Sequence, residues 1–225
     1  MHIEPGIVTG AKVALGYATA AGAATWGLKL GWDALRHGGI GSLAARSAVA
    51  TAAVFTFFQV LPHYPVGVSE VHFILGSTLF LLLGAAPAAL GLALGLLIQG
   101  LAVAPLDLPQ YGMNLTTLLV PLFALSALAR TIIPAGTAYV DLTYRQTLAL
   151  SAAFQGGVVA WVAFWALYGQ GAGAGNLAAI SAFGGAYMLV VVIEPLVDLA
   201  LLAGAKSARG LARSGLVAPR LFAAA

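Results

Sequence analysis

Uninterrupted apolar runs of about 20 residues recur from one end of this chain to the other, the length a helix needs to cross a ~30 Å hydrocarbon core. Only 8% of the 225 residues are charged and 61% are hydrophobic, whereas soluble domains carry roughly 25% charged residues. The runs are continuous and rich in Ala, Leu and Gly, without the short alternating segments of an outer-membrane barrel. Because lipid cannot hydrogen-bond backbone N–H and C=O groups, continuous spans must be helices. The expected fold is an all-α, polytopic membrane bundle, with residues 1–225 forming a single membrane-embedded domain.

Hydropathy windows of about 19 residues place helices at 7–35, 42–61, 68–83, 87–104, 114–133, 147–168 and 180–203, about seven in all. The third is short, and Gly84, Ala85 and Ala86 alone separate it from the fourth, so these two are expected to form a tight helical hairpin. Arg36 and Arg46 fall between the first two helices, Arg145 before the sixth, and Lys206, Arg209, Arg213 and Arg220 after the last. The stretches 61–70, 104–113 and 169–179 contain no Lys or Arg. By the positive-inside rule the amino terminus lies outside and the carboxyl terminus in the cytoplasm, in a multi-pass protein of the inner (plasma) membrane. The basic tail, about 204–225, reads as a topology determinant touching anionic lipid headgroups. Its few dispersed charges, without interleaved aromatics, argue against nucleic-acid binding.

Glu4, Pro5 and Gly6 stand where a signal peptide would carry a basic segment, so the first residues are expected to stay on the mature protein. That gives weight to Met1-His2-Ile3. An amine at residue 1 and an imidazole at residue 2 can close two adjacent chelate rings through the amide nitrogen between them. Cysteine is absent, which leaves nitrogen, oxygen or methionine sulfur as possible metal ligands.

Polar residues in or beside spans are costly, and each is a candidate functional position. His63, Glu70 and His72 cluster between helices two and three, on the same side as the amino terminus. His72 is the best partner for His2, because it should begin helix three, where packing can fix its rotamer. His63 sits in a loop before Tyr64-Pro65. Glu70 reads either as a solvated loop carboxylate or as a group that attracts or ligates cations at the entrance. Gln99 and Asn114 can tie helices together or orient an imidazole. Glu194, inside helix seven, must face the bundle, as a polar clamp or as part of a transport route, and Asp198 shares its face one turn on.

These residues together resemble the CbiM/NikM family of cobalt and nickel uptake proteins, the substrate-binding membrane components of energy-coupling factor (ECF) transporters. The matching features are Met1-His2-Ile3 with Gly6, Ser69 and His72 followed by Gly84, then Gln99, Gly112 with Asn114, and Ile193-Glu194. The resemblance implies a nearly square-planar set of four nitrogens from Met1 (amine), His2 (amide and imidazole) and His72 (imidazole), holding Co(II) or Ni(II) as transported substrate. It also implies a transmembrane coupling protein and an ATPase on separate chains, with or without a small accessory membrane protein. Departures are Pro5 between Glu4 and Gly6, Glu70 within Gly67-Val68-Ser69-Glu70-Val71-His72, Tyr187 where many members carry histidine, and Pro195 where they carry glycine. They mark a divergent branch.

No Gly-x-x-x-x-Gly-Lys-Ser/Thr phosphate loop occurs, so the chain is not its own P-loop ATPase and is read as a transport component, not an enzyme. Ala14, Ala18 and Gly22 place small residues at four-residue spacing on helix one, suited either to a coupling subunit or to packing within the bundle. The competing reading is an autonomous secondary transporter or channel for a cation, with Lys12, Glu194 and Asp198 as its intramembrane charges. A membrane-embedded metalloenzyme would need an open coordination position and a general base, for which Glu70 is the nearest carboxylate.

Overall fold

The computed structural model describes residues 2–208. Met1 lies outside the described residues, as do Arg209, Arg213 and Arg220 of the basic tail. The chain runs through α1 (Val13–Gln59), strands β1 (Tyr64–Val66) and β2 (Ser69–Val71), α2 (Gly76–Leu83), α3 (Ala85–Ala102), α4 (Tyr111–Ile132), α5 (Tyr144–Gln170) and α6 (Ala174–Ser207). It is an all-α membrane bundle with one small antiparallel hairpin at the end that holds the amino-terminal segment.

A straight helix as long as α1 would reach ~70 Å, more than twice the hydrocarbon core. Instead it breaks at Gly39, whose backbone (φ 76°, ψ 164°) leaves the helical region. Glycine adopts this conformation without the Cβ clash that penalises other residues. The two legs double back, so that Phe58 near the end of the second leg meets His2, which precedes the first. The expected helices 7–35 and 42–61 are these two legs.

The expected third span, 68–83, is corrected. Its first residues form β2, and only Gly76–Leu83 is helical. Eight helical residues rise only ~12 Å, but together with the extended residues before them the segment runs the length of the second leg of α1, from His72 beside Phe58 to Leu83 beside Arg46. The helix starts late because Leu75 adopts the left-handed conformation (φ 53°), which no α-helix continues through. Gly84 (φ 92°) then turns the chain directly into α3, the expected hairpin. Arg46 on the second leg of α1 donates to the Leu83 carbonyl at 2.9 Å, answering a terminal acceptor of α2. Counting α1 as one kinked element, five helices among the described residues are long and apolar enough to span.

Lipid tails are as apolar as Leu, so helices here associate by close packing more than by expelling water. Small residues make the contacts: a Cβ on Gly91 of α3 would lie 2.3 Å from the Ala50 Cβ, and one on Gly95 would lie 2.6 Å from Val54. Gly112 of α4 meets the backbone of Gly16, and Gly157 of α5 meets Pro121 of α4. Large apolar side chains such as Leu28, Ile40, Leu189 and Leu196 stay on the outside, where lipid receives them.

Two lysines at helix termini donate to backbone carbonyls. Lys12 donates to the carbonyls of Tyr168 (3.0 Å) and Gly169 (2.9 Å), where the dipole of α5 is negative. Lys206 at the far end of α6 donates to the Val140 carbonyl at 2.8 Å.

Gly91→Ala is expected to cost about 1–3 kcal/mol by overpacking the α1–α3 contact, whereas Gly22→Ala, which meets nothing within 4 Å, should be neutral or stabilising. Thermal unfolding in detergent separates the two, and equal melting temperatures would contradict this account of the packing.

Candidate metal centre

Residues 2–8 are not a loose tail. The His2 carbonyl accepts from the Glu70 amide at 3.0 Å and from the Ser69 hydroxyl at 2.7 Å, and the Glu4 amide donates to the Val68 carbonyl at 3.2 Å. Ile3 pairs with Ser69 in a short bridge, so the amino-terminal segment lies as a further edge against β2. Asn114 of α4 accepts from the Ile3 amide at 2.8 Å, and Gln170 of α5 donates to the carbonyls of Gly6 (2.9 Å) and Ile7 (3.0 Å). Ile3 and Val8 are buried and act as apolar anchors.

The hairpin that receives this segment is built by its turn. Gly67 takes φ 62°, and a Cβ there would strike the Ala179 carbonyl of α6 at 2.1 Å. Glycine is thus required twice, for conformation and for the close approach of α6.

The docked segment and the hairpin bring three side chains together. Ligand atoms of His2, Glu70 and His72 all lie within 4.8 Å of one another. The two rings have centroids 5.7 Å apart, and Phe58 packs against both, at 6.1 Å from His2 and 4.5 Å from His72. Both histidines are almost fully buried, with 3% and 1% exposure. His2 Nδ1–H donates to Glu70 Oε2 at 2.7 Å. His72 directs its Nδ1–H to the Phe73 carbonyl at 3.1 Å.

Burial holds the His2 imidazole below its ordinary pKa, and the hydrogen bond and charge of Glu70 oppose that shift without overcoming it. At Glu70 burial pulls the carboxyl upward, but the hydrogen bond from His2 and the positive potential around it outweigh that and leave the group below its ordinary value. A neutral imidazole beside an ionised carboxylate is the result at neutral pH. The carboxylate is then ready for a divalent cation, whereas His2 Nδ1 must first pass its hydrogen-bonding proton to Nε2 or to water, because metal ligands must be free of protons.

A family model for CbiM, described as the cobalt uptake substrate-specific transmembrane region, matches residues 2–210. The chain belongs to this family. Two solved structures have the same CbiM-like fold over nearly all of their length. One, a transition metal transporter, aligns with TM-score 0.70 at 18% identity over 96% of this chain and 98% of its own. The other, a truncated transition metal transporter, aligns with TM-score 0.66 at 18% identity over 90% and 97%. No curated protein matches the chain. Family membership makes it a multi-pass membrane component of metal uptake, whose transported substrate is a metal ion.

Other residues singled out from the sequence fall into two groups. Ser69 and Asn114 hold the backbone of the amino-terminal segment that carries His2, through the His2 carbonyl and the Ile3 amide. His63 donates to the Leu61 carbonyl at 3.2 Å and stays outside the three-residue cluster. Gln99 is buried on α3 and makes no hydrogen bond to His2 or His72.

Two residues near His2 were not anticipated. Asp107 lines a narrow recess with His2, Gly100 and Asn114, and its charge reaches His2. Its sequence signal was an acidic residue in a stretch without Lys or Arg, on the same side as the amino terminus. Phe58 gave no signal, since a phenylalanine near a span end looks like ordinary core.

The loop after His72 is gripped from α6. Glu194 accepts from the Ile74 amide and the Gln155 side-chain amide, and the Gln155 carbonyl accepts from Tyr187 at 2.7 Å. One turn on, Asp198 accepts from the hydroxyls of Ser77, at 2.6 Å, and Thr78. The two carboxylates thus meet the start of α2, where the helix dipole favours negative charge. They stabilise a segment that contains left-handed Leu75, a conformation that costs of order 1–3 kcal/mol. Of the two roles the sequence left open for Glu194, the clamp is the one its hydrogen bonds describe.

Glu194→Ala removes the acceptor for two buried donors, at about 1–3 kcal/mol each, and is expected to lower the melting temperature clearly, whereas Glu194→Gln, which keeps one oxygen acceptor, should recover part of the loss. Acid should loosen the amino-terminal segment. His2 has its folded pKa lowered, so the unfolded chain binds the extra proton first and stability falls as pH drops below about 6.5. Glu70, also lowered, contributes stability above its unfolded pKa that is lost as pH falls through the folded value. Amide protection at Ile3 and Glu70 in metal-free protein, taken relative to the intrinsic exchange rate at each pH, should fall between pH 7 and pH 4; unchanged protection would count against the pairing.

Proposed function

We propose that this chain is the metal-capturing membrane subunit of an ECF-type importer of Co(II) or Ni(II), one membrane-embedded domain with its amino terminus outside and its basic tail in the cytoplasm. The observation that carries the reading is the convergence of His2, Glu70 and His72 at the end of the bundle where the amino-terminal segment is docked. The ligand set consists of the Met1 amine, the His2 amide nitrogen, the His2 imidazole and the His72 imidazole. Of the two imidazole nitrogens of His2, Nδ1 closes a six-membered ring with the amide nitrogen, and Nδ1 is the atom turned toward Glu70. Nitrogen-rich tetragonal sites suit Ni(II) and Cu(II) and accept Co(II).

Energy for transport comes from other chains, a transmembrane coupling protein and an ATPase, with an accessory membrane protein as a further partner. The exposure of Ala14, Ala18 and Gly22 along the first leg of α1 supports a surface for another helix over packing within the bundle. Against the secondary-transporter reading, Lys12, Glu194 and Asp198 are each occupied in local tethers at helix ends.

Titration calorimetry with Co(II) and Ni(II), comparing the native amino terminus with a form carrying one extra residue before Met1, tests the chelate. The extra residue keeps every side chain and displaces the amine, so tight binding should be lost. Equal binding in both forms would move the site elsewhere. His72→Ala should also abolish tight binding while the bundle still folds. Binding should strengthen from pH 6 to pH 8, because the amine (ordinary pKa about 7.7–8.0), with the amide, must release protons.

A further inference from the structure

The nitrogen set just described leaves a charge problem. A divalent cation held by one deprotonated amide and neutral nitrogens keeps a net positive charge, in a place where His2 and His72 are 3% and 1% exposed. An uncompensated buried charge is expensive, and sites that bury one place a counter-charge against it. Glu70 is the carboxylate in the cluster, with Oε2 2.7 Å from His2 Nδ1.

That separation is itself informative. Two ligand atoms each ~2.0–2.1 Å from a metal at right angles are ~2.9 Å apart. Oε2 therefore already stands at about the spacing of an adjacent vertex from the nitrogen expected to ligate. Glu70 belongs to β2, and its amide is anchored to the His2 carbonyl at 3.0 Å. The two backbones are locked together; once the Nδ1 proton has moved to Nε2 or been released to water, turning the carboxylate brings its oxygen to the bound ion without rearranging the chain.

Resting on the proposed amine chelate, we propose that Glu70 is an oxygen ligand of the transported ion, cis to the His2 imidazole, and that it sets the selectivity of the site. Four nitrogens in a plane favour the ions that gain most from planar coordination, and the natural affinity order puts Co(II) below Ni(II) and Ni(II) below Cu(II). A fifth, anionic oxygen raises the coordination number, withdraws the planar advantage and neutralises the complex. Co(II), which accepts five ligands readily, gains relative to Ni(II). While the site is empty, the same carboxylate holds the His2 ring in position through its hydrogen bond.

The test is the full chain with its native amino terminus in detergent, titrated with cobalt(II) chloride and nickel(II) chloride, wild type against Glu70→Gln and Glu70→Asp. Glu70→Gln is expected to lower Co(II) affinity about 10–100-fold and Ni(II) affinity less, so that the preference shifts toward nickel. Its Ni(II) complex should show the diamagnetic absorption of a planar four-nitrogen site, whereas wild type gives a paramagnetic complex of higher coordination number. Glu70→Asp, which keeps the charge, should retain part of the cobalt affinity and the wild-type spectrum. Unchanged spectra, with both affinities reduced equally or not at all, would overturn the proposal and leave the nitrogen chelate standing. If wild type binds neither ion, the chelate fails together with the role given to Glu70.

Discussion

Everything at the candidate site depends on one docking event, the pairing of residues 2–4 with the strand that carries Ser69 and Glu70. A chain terminus has no covalent partner on one side and ordinarily frays. Here the His2 carbonyl accepts two hydrogen bonds, the Ile3 amide donates to Asn114, and Ile3 is fully buried. These contacts convert the most mobile part of a polypeptide into a seated element. A chelate that begins at the amino terminus needs that ordering done beforehand, since every residue fixed at the moment of binding would weaken it.

The rest of the bundle can be understood as scaffolding for this seat. Gly39 folds α1 back so that Phe58 reaches the two histidines. Gly67 lets the hairpin turn against α6. Glu194 grips Ile74, between His72 and α2, and Asp198 grips the first turn of α2, so the constraint from α6 reaches to within two residues of a proposed ligand. The clamp is one of the places where the bundle and the site are mechanically joined, beside Asn114 on α4 and Gln170 on α5.

Much of this was legible in the residues. Charge content and run length specify a helical membrane protein, and the residue pattern with its family resemblance marks His2, Ser69, His72 and Asn114. The error concerned 68–83, where hydropathy is the same for a buried strand, a loop and a helix. Only the interactions of that segment decide between them. Ser69 and Glu70 are committed to the amino-terminal strand, and Glu194 holds the Ile74 amide, so helix begins after Leu75. Glu70 was ambiguous for a related reason. A carboxylate in a loop reads as solvated unless something brings an imidazole to it from 68 residues away.

By itself, then, the sequence determined the solvent, the secondary-structure class and the atoms available for chemistry, because those follow from composition and from run lengths measured against a bilayer. What only the tertiary structure decided is proximity. Whether α1 is one span or two, whether His72 opens a helix or follows a strand, and which of Gln99, His63, Asp107 and Glu70 stands beside the histidines depend on long-range contacts. Those contacts are made by pairs such as Gly91 with Ala50 and His2 with Glu70, and local propensity has no term that encodes them.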